Sequence, residues 1–138
     1  MKTQKLSSSG NIQIYSVHYP SKTECKGSVL WIHGFAEYCD RYIPVWEFLA
    51  NHGYESYALD LRGHGNSSGT RGYILSIQDY FDDIISVWKH YNLLSKQNLI
   101  MFGHSMGGLV TLRFRQEYHE QYPVKATILS SPFLGINV

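Results

Sequence analysis

Gly103-His104-Ser105-Met106-Gly107 sets a serine between two glycines in the pattern G-x-S-x-G. A serine hydroxyl is a weak nucleophile on its own. It becomes useful when a turn holds it clear of the fold, a base takes its proton, and N–H groups meet the oxyanion that follows. The pattern answers two of these needs. It puts the serine on a sharp turn between strand and helix where a side chain at either glycine would clash, and the helix that follows aims unpaired N–H groups and its dipole at the same point. Ser105 is therefore expected to be the nucleophile and the Met106 amide an oxyanion donor, with Gly103 and Gly107 shaping the turn. The competing reading is a glycine-rich helix start that Ser105 merely caps. The apolar run Leu-Ile-Met-Phe at 99–102 and the helical segment after the motif favour the catalytic reading. A dinucleotide loop is excluded, because GxGxxG aligned on Gly103 would need glycine where Ser105 stands.

The elements that must position this serine follow from the hydrophobic pattern. Residues 11–19 alternate apolar and polar and predict an edge strand or hairpin arm. Residues 28–32, 54–60, 98–103 and 125–130 are short β-favouring runs, as expected of strands covered on both faces. Between them, residues 40–52 carry apolar side chains at helical spacing with Pro44 early and Gly53 as terminator. Ser76 with Asp79 opens a second helix whose stripe Ile77, Tyr80, Phe81, Ile84, Ile85, Trp88 and Tyr91 is core packing. Residues 105–119 form a third helix, and 61–75 a loop without periodicity. The alternation predicts an α/β fold with a mostly parallel sheet and helices on both faces. Ligands in such sheets bind beyond the carboxyl ends of the strands. Those ends are His33-Gly34, Asp60-Leu61, Gly103-His104-Ser105 and Ser130-Ser131-Pro132.

Composition narrows the partners. The 138 residues hold 12 Lys and Arg against 11 Asp and Glu, a formal charge of +1 with no basic cluster, which gives no case for nucleic acid. Cys25 and Cys39 stand outside any CxxC or metal-ligand spacing, so free thiols in a reducing compartment are expected. The amino-terminal stretch has no apolar run of the signal-peptide kind, and no segment approaches the ~18 apolar residues of a membrane span. A cytoplasmic chain that touches a membrane at most peripherally is expected.

Three linked motifs carry a family resemblance: His33-Gly34-x-x-Glu37 with Arg41-Tyr42; Asp60-x-Arg62-Gly63-His64-Gly65-x-Ser67-x-Gly69-x-Arg71-Gly72; and Gly103-His104-Ser105-Met106-Gly107-Gly108. From about residue 27 onward the chain resembles the monoacylglycerol lipase and lysophospholipase group of α/β-hydrolase fold serine hydrolases. The resemblance implies Ser105 as nucleophile, backbone N–H groups of Phe35 and Met106 as the oxyanion hole, no cofactor or metal, and a lipid-like or other ester substrate. In this fold the second oxyanion donor comes from the loop after the first inner strand, hence Phe35, with Gly34 allowing close approach. One departure is Tyr38, where the family usually has His. His33 is expected to brace its loop and His104 to pack or hydrogen-bond behind the turn. Asp60, Arg62 and Arg71 are expected to form loop-fixing ion pairs, and His64 is the weaker candidate for a base.

A serine also needs a base and an orienting acid, which in this fold follow the nucleophile in the order Ser, Asp or Glu, His. After Ser105 only Glu117, His119 and Glu120 remain, about 18–23 Å up the same helix at 1.5 Å per residue. The reading is thus a single but incomplete domain over 1–138, truncated before the cap and the last strands, inactive alone, with an exposed final strand that a C-terminal segment would complement. A non-catalytic binding module of the same fold and a related hydrolase, such as an aminopeptidase or thioesterase, are the alternatives.

Overall fold

The computed structural model describes residues 1–135. Six strands form one sheet: β1 (Lys2–Ser8), β2 (Ile12–Tyr19), β3 (Gly27–Ile32), β4 (Tyr54–Leu59), β5 (Leu99–His104) and β6 (Ala126–Ser130). Their order is β1-β2-β4-β3-β5-β6; β1–β2 and β2–β4 are antiparallel, while β4, β3, β5 and β6 run parallel. Three helices join them: α1 (Ile43–Asn51), α2 (Ile77–His90) and α3 (Met106–Tyr118). The mostly parallel α/β sheet expected from the alternation is what forms.

Two differences from the sequence reading have physical causes. β1 was not foreseen, because Lys2–Ser8 shows no usable apolar alternation: only Leu6 is buried, and the strand is held by its ladder to β2. β2 is accordingly an inner arm of a hairpin rather than an edge. The segment at 40–52 divides into a 3₁₀ turn, Cys39–Tyr42, and α1, with Pro44 in the first helical turn.

Alternation along the strands sends side chains to two cores. Leu30, Ile32, Tyr57, Leu59 and Met101 meet α2 and α3 through Phe81, Ile84, Trp88, Val110 and Phe114. On the opposite face Val17, Val29, Trp31 and Ala58 meet α1 through Trp46. Helices therefore cover both faces. α2 begins as the sequence suggests: the Asp79 carboxylate turns back to accept the Leu75 amide at 2.9 Å and the Ser76 amide at 3.4 Å. At the end of the sheet order, β6 pairs only with β5, and Ile128 is half exposed.

Candidate functional site

Ser105 sits at the junction of β5 and α3 with φ 53° and ψ −119°. Such a conformation in a non-glycine residue costs of order 1–3 kcal/mol and lasts only where its surroundings over-determine it. Here they do. The Ser105 amide donates to Ser130 O at 3.0 Å, and its carbonyl accepts from Gly108 (2.9 Å), Leu109 (3.2 Å) and Phe133 (2.9 Å). Two of those bonds tie the turn to the segment at the end of β6, which the sequence reading marked only as a strand end.

The glycines of the motif make room for backbone. A Cβ on Gly107 would land on the carbonyl oxygens of Ile32 and His33, so α3 can press directly on β3 and its loop only because this residue has no side chain. Gly34 brings that loop against the serine: a Cβ there would lie 3.2 Å from Ser105 Cβ and 2.6 Å from Glu37 Oε2. Ser105 is half-buried, and among the described residues no side chain hydrogen-bonds its Oγ. As the first residue of α3, Met106 carries one of the amides that a helix leaves without an internal partner.

The Gly34 loop is latched by a carboxylate that sequence reasoning quoted as a motif residue but gave no role. Glu37 Oε2 accepts the Gly34 amide at 2.6 Å, and its other oxygen takes Arg41 at 2.5 Å. The Tyr42 hydroxyl reaches Glu37 at 3.4 Å; burial first, then this carboxylate, pushes its pKa up to about 12. The signal was the H-G-x-x-E spacing, which is the length of one turn.

The histidines divide as follows. His33 is fully buried; its Nε2 accepts the Leu61 amide at 3.0 Å, which places the proton on Nδ1, 2.7 Å from Gly34 O. Burial lowers its pKa and keeps it neutral. It braces two loops. His104 Nδ1 lies 3.1 Å from Ser130 Oγ, behind the turn. His64 is buried with Nδ1 3.1 Å from Arg62 O, and its ring lies among His33, Phe35 and Tyr80. No described contact links it to Ser105. Glu117 lies in the last turn of α3, and His119 and Glu120 lie just beyond it, the last two exposed and 3.9 Å apart, at the end away from Ser105.

The 60–72 loop is fixed, though not entirely by ion pairs. Arg62 does pair with Asp83 at 2.7 Å and Asp79 at 3.2 Å. Burial opposes its charge, but hydrogen bonds and attraction from Asp83 outweigh that and raise its pKa. Asp60 instead accepts the amides of Cys39 (2.7 Å) and Asn66 (2.8 Å), and Arg71 donates to the carbonyls of Gly65 (3.1 Å) and Ser67. A carboxylate facing two amides and a guanidinium facing carbonyls need no opposite charge. Asp83 was missed because the apolar stripe of α2 hides it: a buried acid on a core-facing helix is legible only once its arginine is placed.

Cys39 is buried and Cys25 exposed, both free; burial raises the Cys39 thiol pKa. Among the described residues no group of three or more His, Cys, Asp or Glu is arranged to hold a metal, and no helix is long and apolar enough to cross a membrane.

Comparison with known proteins bears on the family and the fold. The family model described as "Serine aminopeptidase, S33" (Hydrolase_4) matches residues 23–138. A phospholipase, YtpA, of Bacillus subtilis is 34% identical over 110 residues, covering 80% of this chain and 42% of its own length. A monoacylglycerol lipase of Mycolicibacterium smegmatis is 34% identical over 124 residues, covering 86% and 42%. Among solved structures, a soluble variant of the monoglyceride lipase of Saccharomyces cerevisiae bound to a substrate analog superposes with a TM-score of 0.79 at 28% identity, over 95% of this chain and 44% of that one. The chain thus spans about two fifths of the length of these relatives. With strand order, turn and sequence in agreement, the chain belongs to the Hydrolase_4 family and has the α/β-hydrolase fold.

Proposed function

We propose that this chain provides the nucleophile and oxyanion hole of a serine hydrolase acting on carboxylic esters, with monoacylglycerols or lysophospholipids as the substrate class. Ser105 Oγ attacks the ester carbonyl carbon while a base accepts its proton. The carbonyl oxygen, now negative, takes hydrogen bonds from the Phe35 and Met106 amides. The alcohol leaves with a proton, and water then attacks the acyl-serine ester to release the acid. The base and its orienting acid are not among the described residues, so the chain alone is expected to lack measurable turnover of short p-nitrophenyl esters. Loss of triad members costs roughly 10⁴–10⁶ in kcat.

The observation that carries this reading is the backbone of Ser105: a positive φ fixed by four hydrogen bonds, with Gly34 in contact. The named functions of the lipase and phospholipase relatives support esters over the peptide bonds suggested by the family's description. An alkyl fluorophosphonate tests it. A chimera that joins residues 1–135 to the remainder of the M. smegmatis lipase is expected to take up one phosphonyl group at Ser105, and its Ser105→Ala variant none. Equal labelling of both would remove the assignment.

A further inference from the structure

The β1 end of the sheet is open. β1 pairs with β2 alone, and in an antiparallel pair alternate residues turn their N–H and C=O groups away from the partner. About half of the main-chain groups of Lys2–Ser8 therefore face outward with no strand beside them. A groove of about 750 Å³ runs along this edge, between β1 with the turn after it and the outer face of α2. Ser8, Ser9 and Ser86 line it but are already bonded: Ser8 to Asp83, Ser9 to Arg62 and Ser86 to the Asp83 carbonyl. What the groove offers a ligand is main chain, an apolar strip and charge. The strip is Ile85 on α2 beside Leu6 on β1. The charge is basic. Lys89 stands one turn beyond Ile85 on the same helix face, and Lys5 lies on the face of β1 opposite Leu6. Among the described residues the lysines in ion pairs are Lys22 and Lys96, so Lys5 and Lys89 have none. The acid in the lining, Asp82, is held by the Gln78 amide at 2.8 Å.

That charge decides between occupants. A second copy of β1 would bring Lys2 and Lys5 against lysines, and the strand holds no acid to offset them. We infer that β1 takes up an extended, acidic segment of a partner protein as a further strand of the sheet. The segment's main chain pairs with the open edge, an apolar side chain meets Leu6 and Ile85, and carboxylates on either side of it meet Lys5 and Lys89. Strand addition of this kind draws affinity from the main chain and selectivity from the alternating side chains. Strands β2, β4 and β3 lie between this edge and β5, which leads into the turn at Ser105. The inference is therefore independent of the reading of that serine.

The test is binding of a capped heptapeptide to the 138-residue chain, read by amide NMR. Its sequence is threonine, two glutamates, valine, two glutamates and threonine, the same in both directions, and its length matches that of β1. Shifts are expected at the amides of residues 3–8 and 85–90. Affinity should fall as salt rises from about 20 to about 500 mM. Lys5→Glu combined with Lys89→Glu should weaken this peptide at least about tenfold, and should turn the preference toward a peptide carrying lysine for glutamate. N-methylation along the peptide removes its main-chain donors and leaves its charge. It should weaken binding to the unaltered chain at least about tenfold. Absence of shifts at β1, equal binding of the glutamate and lysine peptides, or an N-methylated peptide that binds as well as its parent would each overturn the inference. So would line broadening at β1 that grows with protein concentration before any peptide is added, which would give the edge to a second copy.

Discussion

Two glycine-rich segments leave the sheet at the same end, on either side of β3: residues 103–108 after β5 and residues 60–72 after β4. Both mix glycine with histidine and hydroxyl residues, and both look capable of chemistry. Their polar groups are used in opposite ways. In the first, neighbouring backbone fills the space that side chains would need, the main chain is fixed by its own hydrogen bonds, and among the described residues Ser105 Oγ has no side-chain partner. In the second, nearly every polar side chain is consumed: Asp60 on two amides, Arg71 on carbonyls, Arg62 on Asp83, Ser67 on the Asp60 carbonyl. Residue types alone do not separate a loop proposed to do chemistry from a supporting one. The account of partners does.

Perturbing each segment should break this contrast in its own way. The largest effect is loss of all phosphonylation in the Ser105→Ala chimera, read by intact mass, with its melting temperature near that of the parent. Next is Arg62→Ala, which leaves the buried Asp83 with the Ser8 hydroxyl and the residue 62 amide but without its guanidinium, and should cost about 3–5 kcal/mol in urea unfolding. A cost under ~1 kcal/mol would mean that the 60–72 loop is not held as described. Gly107→Ala follows. Its Cβ meets two carbonyl oxygens of β3 and the loop after it, neither of which can step aside, so a destabilisation at the upper end of about 1–3 kcal/mol is expected, with labelling reduced.

The smallest effect sharpens the link between the two sides of β3. His33 joins the Gly34 loop to Leu61 as a neutral ring, and burial lowers its pKa from 6.5. The unfolded chain then binds a proton that the folded chain refuses. Stability from this group is complete above pH ~6.5 and falls as the pH drops below that value, at no more than about 1.4 kcal/mol per pH unit. Urea midpoints from pH 7.5 to 5 should show this slope in the parent and less of it in His33→Asn. Equal slopes would place His33 elsewhere.

What could be read from the sequence follows from where the information is stored. The strand–helix alternation, the two-faced burial and the turn at Ser105 are written in local patterns, and His33 and His104 take the bracing roles that such positions suggest. β1 is written in its partner: Lys2–Ser8 has one buried side chain and exists through hydrogen bonds to β2. The Arg62–Asp83 pair joins residues 21 apart on a loop and a helix, and neither motif nor periodicity marks the acid. The ties from Ser130 and Phe133 to Ser105 are backbone bonds, invisible in residue identity. Expected ion pairs at Asp60 and Arg71 are amide and carbonyl contacts for the same reason: charge is legible in a sequence, main-chain partners are not.

The central claim is that main-chain hydrogens of residues 35 and 106 converge beside the Ser105 hydroxyl. A crystal structure of the phosphonylated chimera measures this directly. The account predicts one phosphoryl oxygen within about 2.7–3.1 Å of both Phe35 N and Met106 N. An adduct whose oxygens face solvent, with either amide turned to another acceptor, would contradict it.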